Sequence, residues 1–151
     1  MTDILFFVEQ FDINYWLVLL GVVISIIIGS VWFSPLMFGK LWMKINGVEH
    51  KSKEELKAMQ KEMGSAYILQ ALLSAMHVLT MFMLIEIFYP FGFSWWYAVV
   101  FIWVGFVIPI QAGDLLWGNT PKGLRVKKFL VNAIYQLVSM LIIGFAYVQL
   151  Y

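Results

Sequence analysis

The sequence contains no cysteine and few charged residues. The absence of cysteine excludes disulfide bonds, thiolate metal sites and cysteine nucleophiles. Only 13% of the 151 residues are charged, whereas a soluble domain has about a quarter. In contrast, 62% are hydrophobic and 18% aromatic. This composition predicts an integral membrane protein, organised as a single domain over residues 1–151, and the net charge of +1 does not indicate a nucleic-acid partner.

Four stretches are apolar enough to cross a bilayer, which needs about 20 apolar residues. None of them contains lysine or arginine. The segment before the first stretch contains Asp3, Glu9 and Asp12 but no cation, so we expect no cleaved signal peptide. The sequence therefore predicts an all-α membrane protein with four transmembrane helices, at about residues 15–33, 66–89, 95–112 and 129–151.

The positive charges predict an orientation. All ten Lys and Arg residues lie in two loops, at residues 34–65 and 113–128. Cytoplasmic loops of membrane proteins are enriched in these residues. We therefore predict that both loops are cytoplasmic and that both termini lie on the outer side.

The first loop is expected to form two short helices. Ser34 is a suitable N-cap and Pro35 a suitable first residue for a helix that reaches Ile45 in the cytoplasmic interface. A capping box then predicts an amphipathic helix that begins at Ser52. The interfacial helix is expected to contact anionic lipid head groups through Lys40, Trp42 and Lys44.

Several short sequences carry a resemblance to a known family. They are WFSP at 32–35, FGK at 38–40, WMK at 42–44 and NAIY at 132–135. With these motifs the chain resembles domain of unknown function 1761, a family of small four-span bacterial membrane proteins. The resemblance implies the bacterial cytoplasmic (inner) membrane and brings no activity or cofactor. A histidine often follows the NAIY motif in that family, whereas Gln136 stands here, so a chemistry that needed that histidine would not be shared.

Polar side chains repeat at helical spacing within two of the predicted spans. In each span the three residues are separated by four and then three positions, so they share one helix face. They are Gln70, Ser74 and His77 in the second span, and Asn132, Gln136 and Ser139 in the fourth. The two stripes lie at similar predicted depth. They line a binding pocket or narrow pathway, with His77 as a proton carrier or ligand contact, or they hold helices together by hydrogen bonds.

The third span is expected to be irregular near its cytoplasmic end. Pro109 interrupts the backbone hydrogen bonds, so we predict a kink. Freed carbonyls there, with Gln111, Asp114 and Asn119, would coordinate a cation or polar substrate. Alternatively, Asp114 pairs with a cation of the following loop: Arg125, Lys127 or Lys128.

Glu86 lies near the outer edge of the second span, three residues before Tyr89. One interpretation is an interfacial carboxylate that reaches water. The other is an acidic residue at the mouth of a pathway, where it would attract cations.

Small residues recur every four positions in the first span, at Gly21, Ser25 and Gly29. This spacing favours close contact between membrane helices. Gly105 and Gly144 are candidates for similar contacts in the third and fourth spans.

Three classes of function remain, and none involves a recognisable cofactor or metal site. The first, and the one the sequence favours, is an oligomeric helical bundle that binds or conducts a small polar solute or ion along the polar stripes. The second is a membrane scaffold or regulatory subunit that acts through its basic loop. The third is a membrane enzyme on a lipid-like substrate, with His77 or Asp114 as acid or base. Because four spans enclose little interior, we expect a homo-oligomer.

Overall fold

The computed structural model describes residues 13–151. Every regular element in this part of the chain is helical. Four helices are long and apolar enough to cross a membrane, which confirms the predicted all-α architecture. Asp3, Glu9 and Asp12, on which the expectation of no cleaved signal peptide depends, lie outside the described residues.

The first half of the chain forms two long helices separated by two short ones. The first long helix, α1, covers Tyr15–Trp32. The short helices are α2 at Gly39–Ile45 and α3 at Lys53–Glu62. The second long helix, α4, covers Gly64–Phe88 and continues into a 3-10 turn at Tyr89–Phe91. The apolar composition of α1 and α4 matches the first two predicted spans.

The third long segment is a composite helix. It consists of α5 at Trp95–Ile102, a π-helical turn at Trp103–Val107 and α6 at Ile108–Trp117. Pro109 has no N–H to donate to the carbonyl four residues earlier, and π-turns are a common response to such a gap. The irregularity expected at Pro109 is therefore a widened turn before the proline, and the helix continues past residue 112.

The last helix, α7, covers Lys122–Leu150 and begins directly after Pro121. It starts well before residue 129, where the fourth apolar span is predicted. Lys and Arg favour helix formation, so the cationic segment extends the helix beyond its apolar part. The fourth span and part of the second basic loop therefore form one continuous helix.

The four long segments pack as a ring. Both α1 and α5 contact α4 and α7, so α1 and α5 occupy opposite corners. The helices α4 and α7 face each other along the other diagonal, and α6 packs on α7. The centre of the bundle is filled by buried side chains on the side where α4 ends. Its largest fully buried side chains are Met81, Phe82, Val99, Met140 and Tyr147.

The small residues of α1 permit this packing. A Cβ atom added to Gly21 would lie 2.7 Å from a Val78 methyl group and 3.1 Å from one of Ile143. A Cβ atom added to Gly29 would lie 3.0 Å from the hydroxyl oxygen of Tyr135. The ridge on α1 therefore contacts α4 and α7 of the same chain, as its spacing predicts for close helix packing.

The segment between α1 and α2 corrects one prediction. The short helix begins at Gly39 rather than at Pro35. Ser34 does not open an α-helix directly: its hydroxyl donates to the carbonyl of Val31 at 2.7 Å and accepts from the Leu36 N–H at 3.2 Å within a turn. The carbonyl of Ser34 instead accepts hydrogen bonds from the N–H groups of Met37 and Gly39. Ser34 thus stabilises a turn after α1, and α2 starts only when this turn is complete.

The capping box of α3 is confirmed. Ser52 Oγ accepts a hydrogen bond from the Glu55 N–H at 3.2 Å, and the Glu55 carboxylate accepts one from the Ser52 N–H at 2.7 Å. The hydrogen bond from the Ser52 backbone, more than any other interaction, lowers the pKa of Glu55 below its usual value. The carboxylate is therefore ionised while it caps the helix.

The turn after α1 requires glycine at position 39. A Cβ atom there would lie 2.6 Å from the carbonyl carbon and oxygen of Ser34, which are backbone atoms. We expect Gly39→Ala to lower the free energy of unfolding by about 1 to 3 kcal/mol, because the turn must shift. Gly123→Ala is the matched control, since no atom lies within 4 Å of the added methyl group. Reversible unfolding in mixed micelles, followed by circular dichroism, measures both variants, and equal stability would contradict this account.

Candidate functional site

The predicted polar stripes of α4 and α7 meet across the diagonal of the bundle. Gln70, Ser74 and His77 of α4 face Gln136 and Ser139 of α7 around a cavity of about 250 Å³. Both helices present these residues on one face because the spacing matches the helical repeat. The structure therefore brings five of the predicted binding residues together inside the apolar bundle.

Two further polar residues line the same cavity. Ser25 belongs to α1 and Tyr135 to α7. The Tyr135 hydroxyl donates a long hydrogen bond, 3.4 Å, to the carbonyl of Ser25. The Tyr135 ring also contacts Phe33, with ring centroids 5.2 Å apart. The sequence indicated Tyr135 only as part of the NAIY motif and Ser25 only as a small residue, so neither was predicted as a cavity residue.

The imidazole of His77 has an incomplete set of hydrogen bonds. Its Nε2 atom is buried and has no hydrogen-bond partner among residues 13–151. Nearby, Gln70 Nε2 donates a long hydrogen bond of 3.4 Å to Ser74 Oγ. A buried polar atom without a partner costs about 1 to 3 kcal/mol. A polar molecule in the cavity would therefore gain affinity by bonding to Nε2.

The cavity is closed at one end and accessible at the other. Val78, Met81, Met140 and Ile143 line its deep end, and each is at most 4% exposed. Gln70, at the other end, is exposed. The open side of the cavity therefore lies at Gln70, near the start of α4.

Asn132 does not line the cavity. It is half-buried on α7, one helical turn before Gln136. Its side chain shares the face of Gln136 because the two residues are separated by four positions. Of the three stripe residues on α7, Gln136 and Ser139 therefore line the cavity and Asn132 does not.

Asp114 lies at a separate place, near the end of α6. Its carboxylate accepts a hydrogen bond from Lys128 Nζ at 2.7 Å, which is the ion pair that the sequence offered as the alternative to a cation site. Lys128 also donates to the Thr120 hydroxyl at 3.2 Å, and Arg125 Nε donates to the Thr120 carbonyl at 2.8 Å. These contacts hold the α6–α7 loop against α7, so Asp114 has a structural partner.

Glu86 is half-buried, and its side chain contacts the bundle. Its carboxylate accepts a hydrogen bond of 2.7 Å from the hydroxyl of Tyr147. Tyr147 is 1% exposed and stacks on Phe82, with ring centroids 4.0 Å apart. Neither interpretation offered by the sequence describes this contact, because the two residues lie on different helices.

The three residues expected to contact lipid are all on the surface of α2. Lys40 and Lys44 are exposed, and Trp42 is 41% exposed. Their side chains are therefore available to head groups.

The fold shows to which class of protein this chain belongs. The four apolar helices identify the chain as a multi-pass helical membrane protein. The family model of the protein of unknown function DUF1761 matches residues 16–148, so the chain belongs to this family. No curated protein and no solved structure matches the chain.

The contact between Tyr147 and Glu86 generates a testable prediction. Tyr147→Phe keeps the ring on Phe82 but removes the hydroxyl donor from a half-buried carboxylate. We expect it to lower the free energy of unfolding by about 1 to 2 kcal/mol, since membrane hydrogen bonds are modest and those to charged groups are stronger. Tyr97→Phe, at an exposed position, is the matched control. Reversible unfolding in mixed micelles is the measurement, and an equal effect of both changes would show that the bond contributes nothing.

Proposed function

We propose that this protein binds a small polar solute or ion in the cavity between α4 and α7, as a step in conducting it across the membrane. One observation carries the proposal: seven polar residues surround a cavity inside an otherwise apolar bundle. Polar side chains at membrane depth are costly and commonly mark solute pathways. Hydrogen bonds that only hold two helices together would leave no cavity of about 250 Å³ between them.

The unpaired nitrogen of His77 supports binding over simple helix association. In a hydrogen-bonded contact between helices, buried donors and acceptors find partners in the protein. Here His77 Nε2 is buried without one. A bound solute supplies that partner, so the cavity is better suited to a ligand than to a purely structural role.

We place the protein in the bacterial cytoplasmic membrane, with both termini on the outer side. The ten cations support this orientation, since all lie in two segments on the same side of the four helices. The open end of the cavity, marked by Gln70, then faces the cytoplasm. On this basis Lys40, Trp42 and Lys44 contact anionic head groups of the inner leaflet.

The absence of cysteine makes the orientation straightforward to test. We expect a single cysteine that replaces Lys53 to react with a membrane-impermeant maleimide only after the cells are opened. A single cysteine at Ser94, an exposed residue in the loop between α4 and α5, is the matched control and should react in intact cells. The reverse pattern would overturn the orientation and would place the cavity entrance on the outer side.

Native mass spectrometry of the protein released from nanodiscs tests the binding function. We expect a retained non-lipid mass, together with retained anionic lipid when the nanodiscs contain mixed head groups. Loss of one buried hydrogen bond weakens binding by about tenfold. His77→Ala should therefore reduce the retained fraction strongly, whereas His50→Ala, at an exposed position, is the control.

The same spectra report the stoichiometry. We propose a homo-oligomer, because four spans enclose little interior of their own. A monomer that carries only bulk lipid would contradict both the oligomer and the binding function, and would favour a scaffold that acts through the basic loop.

A further inference from the structure

The cavity has many hydrogen-bonding groups but no permanent charge. Within residues 13–151, no Asp, Glu, Lys or Arg lines it. Its polar lining consists of two amides, three serine hydroxyls, one phenol and one imidazole: Gln70, Gln136, Ser25, Ser74, Ser139, Tyr135 and His77. A ligand would therefore meet dipoles rather than ions.

The charged residues at the two ends of the bundle interact elsewhere. Glu86 accepts the hydrogen bond from Tyr147, beyond the closed end of the cavity. Asp114 pairs with Lys128 in the α6–α7 region. Arg125 donates to backbone carbonyls of the same region. None of these groups supplies a counter-charge within the cavity.

We infer that the ligand is an uncharged solute that carries both hydrogen-bond donors and acceptors. An ion that leaves water for an apolar interior loses several kcal/mol of hydration unless an opposite charge compensates it. Dipoles of amides and hydroxyls match a neutral ligand without this cost. This inference rests on the proposed binding function. It restricts the ligand, proposed above as a small polar solute or ion, to uncharged polar solutes.

The walls also define the size and polarity of the ligand. An apolar cavity of about 150 Å³ accommodates benzene, so 250 Å³ has room for a somewhat larger molecule. Val78, Met81, Met140 and Ile143 form the apolar deep end. The ligand therefore has an apolar edge and a polar edge, as a small primary amide or lactam does. The amide would face Gln136 and His77 nearer the entrance.

Three compounds of matched size and shape separate the alternatives. Benzamide is neutral, benzoate is an anion and benzamidinium is a cation. The chain contains only two histidines, so protein labelled with ¹⁵N-histidine gives separate signals for His77 in the cavity and His50 in the basic loop. Each compound is titrated into labelled protein in nanodiscs, and the ¹⁵N shifts of both residues are followed.

We expect benzamide to move the His77 Nε2 signal saturably, with at least tenfold lower Kd than either ion, while His50 stays unchanged. Preference for benzoate or benzamidinium at His77 would overturn the uncharged ligand and leave the binding function in place. If no compound moved His77, both the ligand class and the proposed function would fail.

A variant pair tests whether the cavity dipoles make the contact. Gln136→Leu keeps the approximate size of the side chain and removes its donor and acceptor. We expect benzamide binding to weaken by about tenfold, the equivalent of one hydrogen bond. Gln149→Leu makes the same change at an exposed position of α7 and should bind as the parent does. Equal binding by both variants would show that Gln136 does not contact the ligand and would overturn the assignment.

Discussion

The requirement that polar groups find partners away from water determines much of this structure. Hydrocarbon offers no hydrogen bonds, so each donor at membrane depth needs a partner inside the protein. Thr80 satisfies the rule locally, because its hydroxyl donates to the carbonyl of Met76 at 2.9 Å. Trp103 satisfies it between helices, where its indole N–H donates to the carbonyl of Ala133 at 2.8 Å. His77 departs from the rule, and this departure distinguishes the cavity from the rest of the α4–α7 contact.

The cavity exists because α4 and α7 contact α1 and α5 more closely than they contact each other. Gly21 allows α1 to approach Val78 of α4, and Gly144 allows Trp95 of α5 to approach α7. These contacts place α1 and α5 between α4 and α7, which consequently face each other along a diagonal and touch less closely. Large side chains fill the diagonal at one end. At the other end the small side chains of Ser25, Ser74 and Ser139 leave space, so the cavity results from residue size as much as from polarity.

Local periodicity made the spans, the capping box at Ser52 and most of the cavity predictable. A polar residue repeated at helical spacing must share a face, whatever the helix packs against. Long-range contacts carry no such local signal. For this reason Tyr147 could not be identified as the partner of Glu86, nor Ser25 as a neighbour of Tyr135. The predicted start of α2 was wrong for another reason: Ser34 has the right residue type for an N-cap, but the hydrogen bonds of its hydroxyl and carbonyl close a turn, and α2 begins only after that turn.

The proposed binding in the cavity and the proposed movement across the membrane make different demands on the bundle. Binding needs only the space and the polar groups that the structure already contains. Movement beyond the deep end requires displacement of Met81 and Phe82, which are each 1% exposed, and of the Tyr147 ring that stacks on Phe82. The hydrogen bond to Glu86 holds that ring in place. Conduction therefore requires a second arrangement of the best-packed part of the molecule, whereas binding does not, so loss of Tyr147 should affect passage of a solute more than its affinity for the cavity.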